Sequence, residues 1–110
     1  MKVVTLCGSM RLQSEMMEIA EKLAREGEYV LTPVYMVMED CEISEEEVKR
    51  LKLEQLKRIE LADEIFVVNV DGYAGESTMA EIEFAERNGK KVRWMEEKKL
   101  KSKNRMFKNT

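Results

Sequence analysis

Two short stretches hold the side chains whose types and spacing suit chemistry: "NVDGYAGESTMAEIEFA", residues 69–85, and "CGSMR", residues 7–11. Within the first, Glu81 has two readings. Thr78-x-x-Glu81 has the spacing of a capping box, in which the carboxylate reaches back to the backbone at the start of its own helix. The same spacing sets a carboxylate one turn into a helix, where the macrodipole favours the ionised, nucleophilic form. Glu76 and Glu83 read as solvated charges, and Asp71 either orients a ligand or ends a strand. Gly72 and Gly75 let the chain bend between them. In the second stretch Gly8 permits close backbone approach, Ser9 offers a hydroxyl, and Arg11 can hold a phosphate or carboxylate. The competing reading is a turn that only caps the helix after it. Neither stretch is a Walker A loop or a GxGxxG fingerprint.

The rest of the composition narrows that chemistry. The 110 residues contain no histidine, which removes Ser-His and Cys-His nucleophile pairs and the common zinc sites. Cys7 and Cys41 lack metal-ligand spacing and read as reduced thiols. Catalysis would rest on carboxylates, hydroxyls, lysine or cysteine, with no metal and no cofactor called for. No apolar run reaches the roughly 18 residues of a membrane span, and no signal-peptide pattern opens the chain, so a cytoplasmic protein without a membrane partner is expected. Residues 1–95 carry 13 basic and 20 acidic side chains, whereas residues 96–110 carry six basic and two acidic. So acidic a body argues against nucleic acid as the main partner, and the basic extension reads as solvated or self-docking.

These residues need elements to hold them. "VVTLC" at 3–7 is a buried β-branched strand stopped by Gly8-Ser9. Met16, Ile19, Ala20 and Leu23 recur at helical spacing over 13–25, and Gly27 ends that helix. "EYVLTPV" gives a second strand. "YMVMEDCEI" either prolongs it or forms a loop lining a site. Ser44 and Glu47 form a capping box before a helix over 45–62, whose inward stripe is Val48, Leu51, Gln55/Leu56 and Ile59. Gln55 is the polar exception in that stripe. "EIFVVNV" has the continuous apolar character of a central parallel strand, a helix over 78–88 closes at Gly89, and "KVRWM" is a fourth strand. Strands alternating with helices predict an α/β, Rossmann-like or flavodoxin-like three-layer sandwich around a mainly parallel sheet of four to five strands. If the first and third strands are neighbours, "CGSMR" and "NVDGYAGEST" face each other across the crevice where such folds bind ligands.

"LCGSMR", "LADEIFVVNVDGYAGESTMAEIEFA" and "GKKVRWM", in that order, resemble the nucleoside 2-deoxyribosyltransferase superfamily, in particular its small branch with GYIGEST-like loops. The resemblance spans about residues 2–95 as one domain and leaves 96–110 as a basic C-terminal extension. It implies a Rossmann-like fold and a glutamate, at Glu81, that attacks C1′ of a 2-deoxyribosyl group. By the same resemblance Gly8, Ser9 and Arg11, with Ser77, would hold the sugar or its 5′ end, and Asp71, Gly72 and Tyr73 would approach the base. It further implies a nucleoside or nucleotide substrate, transfer to a second base or to water, and a homo-oligomer that completes its sites across an interface. Two positions depart from the pattern. Thr5 stands where many members have tyrosine, and Gln55 stands where an aspartate or histidine is common. An amide can orient a hydroxyl but cannot shuttle a proton near neutral pH. Those two positions keep a second expectation open: a catalytically silent nucleotide-binding or interaction domain.

Overall fold

The protein is described by a computed structural model covering residues 1–38, 42–70 and 74–96. Four strands, β1 (Val3–Gly8), β2 (Tyr29–Leu31), β3 (Glu64–Val68) and β4 (Lys91–Trp94), form one parallel sheet in the order β2-β1-β3-β4. The register pairs Cys7 with Val67 and Gly8 with Val68, so β1 and β3 are neighbours along the length of β3. Every residue of β3 is buried, as its continuous apolar run requires of a central strand. At Gly8 a side chain would place its Cβ 3.0 Å from the Val68 carbonyl oxygen. The end of β1 can therefore approach β3 this closely only as glycine.

Among the described residues three α-helices complete the sandwich: α1 (Gln13–Arg25), α2 (Glu45–Leu61) and α3 (Glu76–Arg87). The period of two along the strands separates two cores. Val4, Leu6, Phe66 and Val68 pack with Met16 and Leu23 of α1. Cys7, Ile65 and Val67 pack on the other face with Ile59 of α2 and Ile82 and Ala85 of α3. The α/β sandwich is thus the expected one, with four parallel strands in the described residues. Its order reverses direction between β1 and β3, which makes the C-terminal ends of those two strands the switch point where such sheets take ligands.

The helix ends show how local chemistry was resolved. Gly27, at φ 96°, stops α1, and Gly89, at φ 72°, stops α3, both as expected. Ser44 Oγ accepts from the Glu47 N–H (3.1 Å) and Glu47 Oε1 accepts from the Ser44 N–H (2.8 Å), so the predicted capping box opens α2. The start of α3 is a correction. Its N-cap is Gly75, with no side-chain cap, and the Met79 N–H donates to the Gly75 carbonyl at 2.8 Å. Thr78 lies inside the helix because Thr78, Ile82 and Ala85 form its buried stripe. The Thr78–Glu81 capping box is absent, and Glu81 lies in the second turn.

Candidate functional site

Glu81 lines a cavity of about 230 Å³ at the β1/β3 switch, together with Gly8 at the end of β1 and Gln55 and Arg58 on α2. Pro33 and Met36, in the segment after β2, close another side. Residues 32–38 carry no helix or strand, so the described part of "YMVMEDCEI" is the site-lining loop of the two alternatives; residues 39–41 lie outside the described residues. Among the described residues the wall is mainly apolar, with Lys52 and Arg58 as its cations and Glu81 as its acid. That is the usual construction of a small-molecule site, in which a few polar groups are set in apolar surroundings.

Behind the wall lies a chain of polar contacts. Arg58 Nη1 donates to Gln55 Oε1 at 3.0 Å, and Gln55 Nε2 donates to the Leu6 carbonyl at 3.0 Å. A guanidinium can only donate and a carbonyl can only accept, so these partners fix which way the Gln55 amide points. The same Nε2 lies 3.8 Å from Cys7 Sγ, and both side chains neighbour the Glu81 carboxylate. Burial pushes the Glu81 carboxyl above the usual carboxylate range, and Cys7 and Gln55 pull it only part of the way back. The macrodipole was expected to keep this carboxylate ionised. Glu81 is the sixth residue of α3, and the dipole's effect fades after the first turn, so desolvation dominates instead. Burial, with the Glu81 carboxylate alongside, pushes the Cys7 thiol well up as well, so it stays protonated.

Of the residues singled out from sequence, the cavity brings together Gly8, Gln55 and Glu81. Ser9 instead caps a short 3-10 turn, Met10–Leu12, accepting from the Arg11 N–H at 3.4 Å. Arg11 and Ser77 are exposed and do not line the cavity. Asp71, Gly72 and Tyr73 lie outside the described residues, as do Cys41 and residues 97–110, which hold nearly all of the basic extension. Thr5 is fully buried, and its Oγ1 donates to the Arg58 carbonyl at 2.7 Å, tying β1 to α2. The reading of sequence passed over Cys7 and Arg58. Both were findable: Cys7 is two residues from Thr5 on one strand face, and Arg58 is one helical turn beyond Gln55. Among the described residues no group of three metal-ligating side chains is assembled, and no helix is long and apolar enough to cross a membrane.

By sequence, no protein family and no curated protein matches the chain. Solved structures do match it. The 2-deoxyribosyltransferase of the psychrotolerant bacterium Bacillus psychrosaccharolyticus superposes with a TM-score of 0.66 at 24% identity, over 84% of this chain and 70% of that one. A conserved protein from Enterococcus faecalis V583 superposes with a TM-score of 0.61 at 13% identity, over 96% and 76% of the two chains. At such identities the likeness establishes the fold: the chain has the fold of a 2-deoxyribosyltransferase, as the sequence motifs led one to expect.

Proposed function

We propose that the protein cleaves or exchanges the N-glycosidic bond of a nucleoside or nucleotide, with Glu81 as nucleophile. The observation that carries this reading is the position of Glu81: a half-buried carboxylate on the cavity wall at the sheet's switch point, alongside Gly8 and Gln55. A Glu81 carboxylate oxygen attacks C1′ of the sugar, the C1′–N bond breaks, and the base departs with the bonding pair and takes up a proton. The resulting ester is resolved when a second base or water attacks C1′ and the carboxylate leaves, a double displacement that retains configuration. Cys7 and Gln55 favour the ionised form of Glu81 against the burial that opposes it. Lys52 and Arg58 take over the role first given to Arg11 and put positive charge where a 5′-phosphate can be held. A homo-oligomer belongs to this reading, and sedimentation that finds only monomer at working concentration counts against that part of it.

The second reading, a silent nucleotide-binding domain, is favoured by Gln55, whose fixed amide cannot carry a proton to the leaving base. One assay separates the two. Deoxynucleosides and their 5′-monophosphates are incubated with the protein, with and without an acceptor base, and free and exchanged base are measured. Wild-type turnover that Glu81→Ala abolishes supports the enzyme. Binding of nucleotide by both proteins with turnover by neither establishes the silent domain.

A further inference from the structure

We infer that Arg58 is a positioning residue for Gln55: its guanidinium holds the amide oxygen, so that Gln55 offers the cavity only an N–H and selects a ligand with an acceptor oxygen there. The inference rests on the reading of the cavity as a nucleoside site and adds to it the polarity of one contact.

The amide is held from both ends. Arg58 Nη1 donates to Gln55 Oε1 at 3.0 Å, and Gln55 Nε2 donates to the Leu6 carbonyl at 3.0 Å. Turning the amide over would set its N–H bonds against a guanidinium that can only donate, and its oxygen against a carbonyl that can only accept. Gln55 is 7% exposed, so water could not repair either mismatch, and each costs about 1–3 kcal/mol. Arg58 is itself anchored. The fully buried Thr5 donates its hydroxyl to the Arg58 carbonyl at 2.7 Å, which fixes the last turn of α2 on β1 through the main chain. In residues 1–95 acidic side chains outnumber basic ones 20 to 13, yet among the described residues no carboxylate pairs with Arg58. Its guanidinium is engaged with a neutral amide instead. Nε2 carries two protons, and Leu6 takes one. The other has Cys7 Sγ at 3.8 Å, a weak acceptor that a ligand oxygen can displace. Gln55 lines the cavity, so this second N–H is the group that a ligand meets. A glutamine free to turn serves donors and acceptors alike, whereas a held one serves acceptors alone.

The test compares Arg58→Met with Arg58→Lys. Both retain the main-chain bond from Thr5, but only lysine keeps a donor for the amide oxygen. The Gln55 side-chain amide is followed by NMR in protein labelled with nitrogen-15, and Gln55→Met assigns its resonances. In wild type its protons are expected to show nuclear Overhauser contacts to Leu6 and Cys7 of β1. Arg58→Met should weaken those contacts and Arg58→Lys should restore them. Affinity is read with 2′-deoxyuridine and 2′-deoxyinosine, which have no phosphate for the charge of Arg58 to act on. Arg58→Met and Gln55→Leu should each weaken binding roughly three- to ten-fold, the size of one neutral hydrogen bond, and the double variant should bind no worse than either. Amide contacts unchanged in Arg58→Met overturn the inference, as does Arg58→Lys behaving like Arg58→Met. Affinity unmoved by Gln55→Leu, or losses that add in the double variant, overturn it too, because Arg58 would then not act through Gln55. The amide contacts are read without ligand. If they respond as expected while the protein binds neither probe nor their 5′-monophosphates, the hold on Gln55 is upheld and the nucleoside reading fails.

Discussion

At Glu81 three influences act on one proton, and their ranking sets what the residue costs the fold. Burial raises the carboxyl, Cys7 and Gln55 lower it, and the net result is upward. A carboxyl whose folded pKa exceeds its unfolded value keeps its proton longer in the folded protein. Its contribution to stability is then complete below the unfolded pKa and is lost as pH rises through the folded one. Glu81→Gln keeps the shape and removes the ionisation. Its melting temperature is expected to exceed that of wild type at pH 8, the difference should close toward pH 4, and turnover should vanish. Melting curves at the two pH values check this, and a pH-independent difference contradicts it. The sequence drew attention to Glu81, which lines the cavity, and reversed its electrostatics, for a physical reason. Spacing shows that Glu81 is near a helix start, but the depth at which that helix docks is a property of packing that no local pattern carries.

Among the elements, the β1/β3 pair decides whether the site exists. Gly8 lets the end of β1 press against Val68 and itself lines the cavity. In Gly8→Ala the new Cβ meets a backbone oxygen at 3.0 Å and the Met16 sulfur at 3.5 Å. The Met16 sulfur is at ordinary contact distance, but the Val68 carbonyl, on a central strand paired to β1, has little room to shift. The expected result is a loss of about 1–3 kcal/mol by denaturant unfolding, with a weakened affinity for nucleotide. A fully stable, fully binding Gly8→Ala protein rules out the close approach. The end of β1 was legible because "CGS" closes an apolar run, whereas the expected strand "EIFVVNV" ran two residues past the end of β3 at Val68. The start of α3 was not legible. Thr78-x-x-Glu81 satisfies the capping-box pattern, yet burial of the Thr78, Ile82 and Ala85 stripe requires the helix to begin earlier, at Glu76. Thr5 shows the same limit. Its position was compared with a tyrosine that the resemblance implies beside the glutamate, while in the fold its hydroxyl is engaged with the Arg58 carbonyl.

Across the whole molecule the two ends of the strands differ in what they hold. The candidate site occupies the C-terminal ends of the strands, and an ion cluster holds the opposite ends together. Glu64, 3% exposed at the start of β3, pairs with Arg93 at 2.7 Å and with Lys2 at 3.2 Å, and Arg93 also reaches Glu28 at 3.0 Å while lying over the Phe66 ring. These residues belong to, or immediately precede, all four strands. Burial raises the Glu64 carboxyl, but the bonds from Arg93 and Lys2 outweigh it and the net shift is downward. The sign is therefore opposite to that of Glu81. The stabilisation from Glu64 is present above its unfolded pKa and is lost as pH falls through the folded one. Glu64→Gln is expected to cost about 1.5–3 kcal/mol at neutral pH, the range for hydrogen bonds to a charged group, and to leave the Glu81 titration unmoved. Together the two carboxylates give stability a maximum: Glu64 steepens its fall toward acid, and Glu81 its fall toward base. Melting temperature measured against pH for wild type, Glu64→Gln and Glu81→Gln resolves the two contributions. Glu64→Gln should flatten the acid side alone and Glu81→Gln the alkaline side alone, because distant residues with no shared partner act additively. A single substitution that flattens both sides would mean that the two ends are coupled through β3.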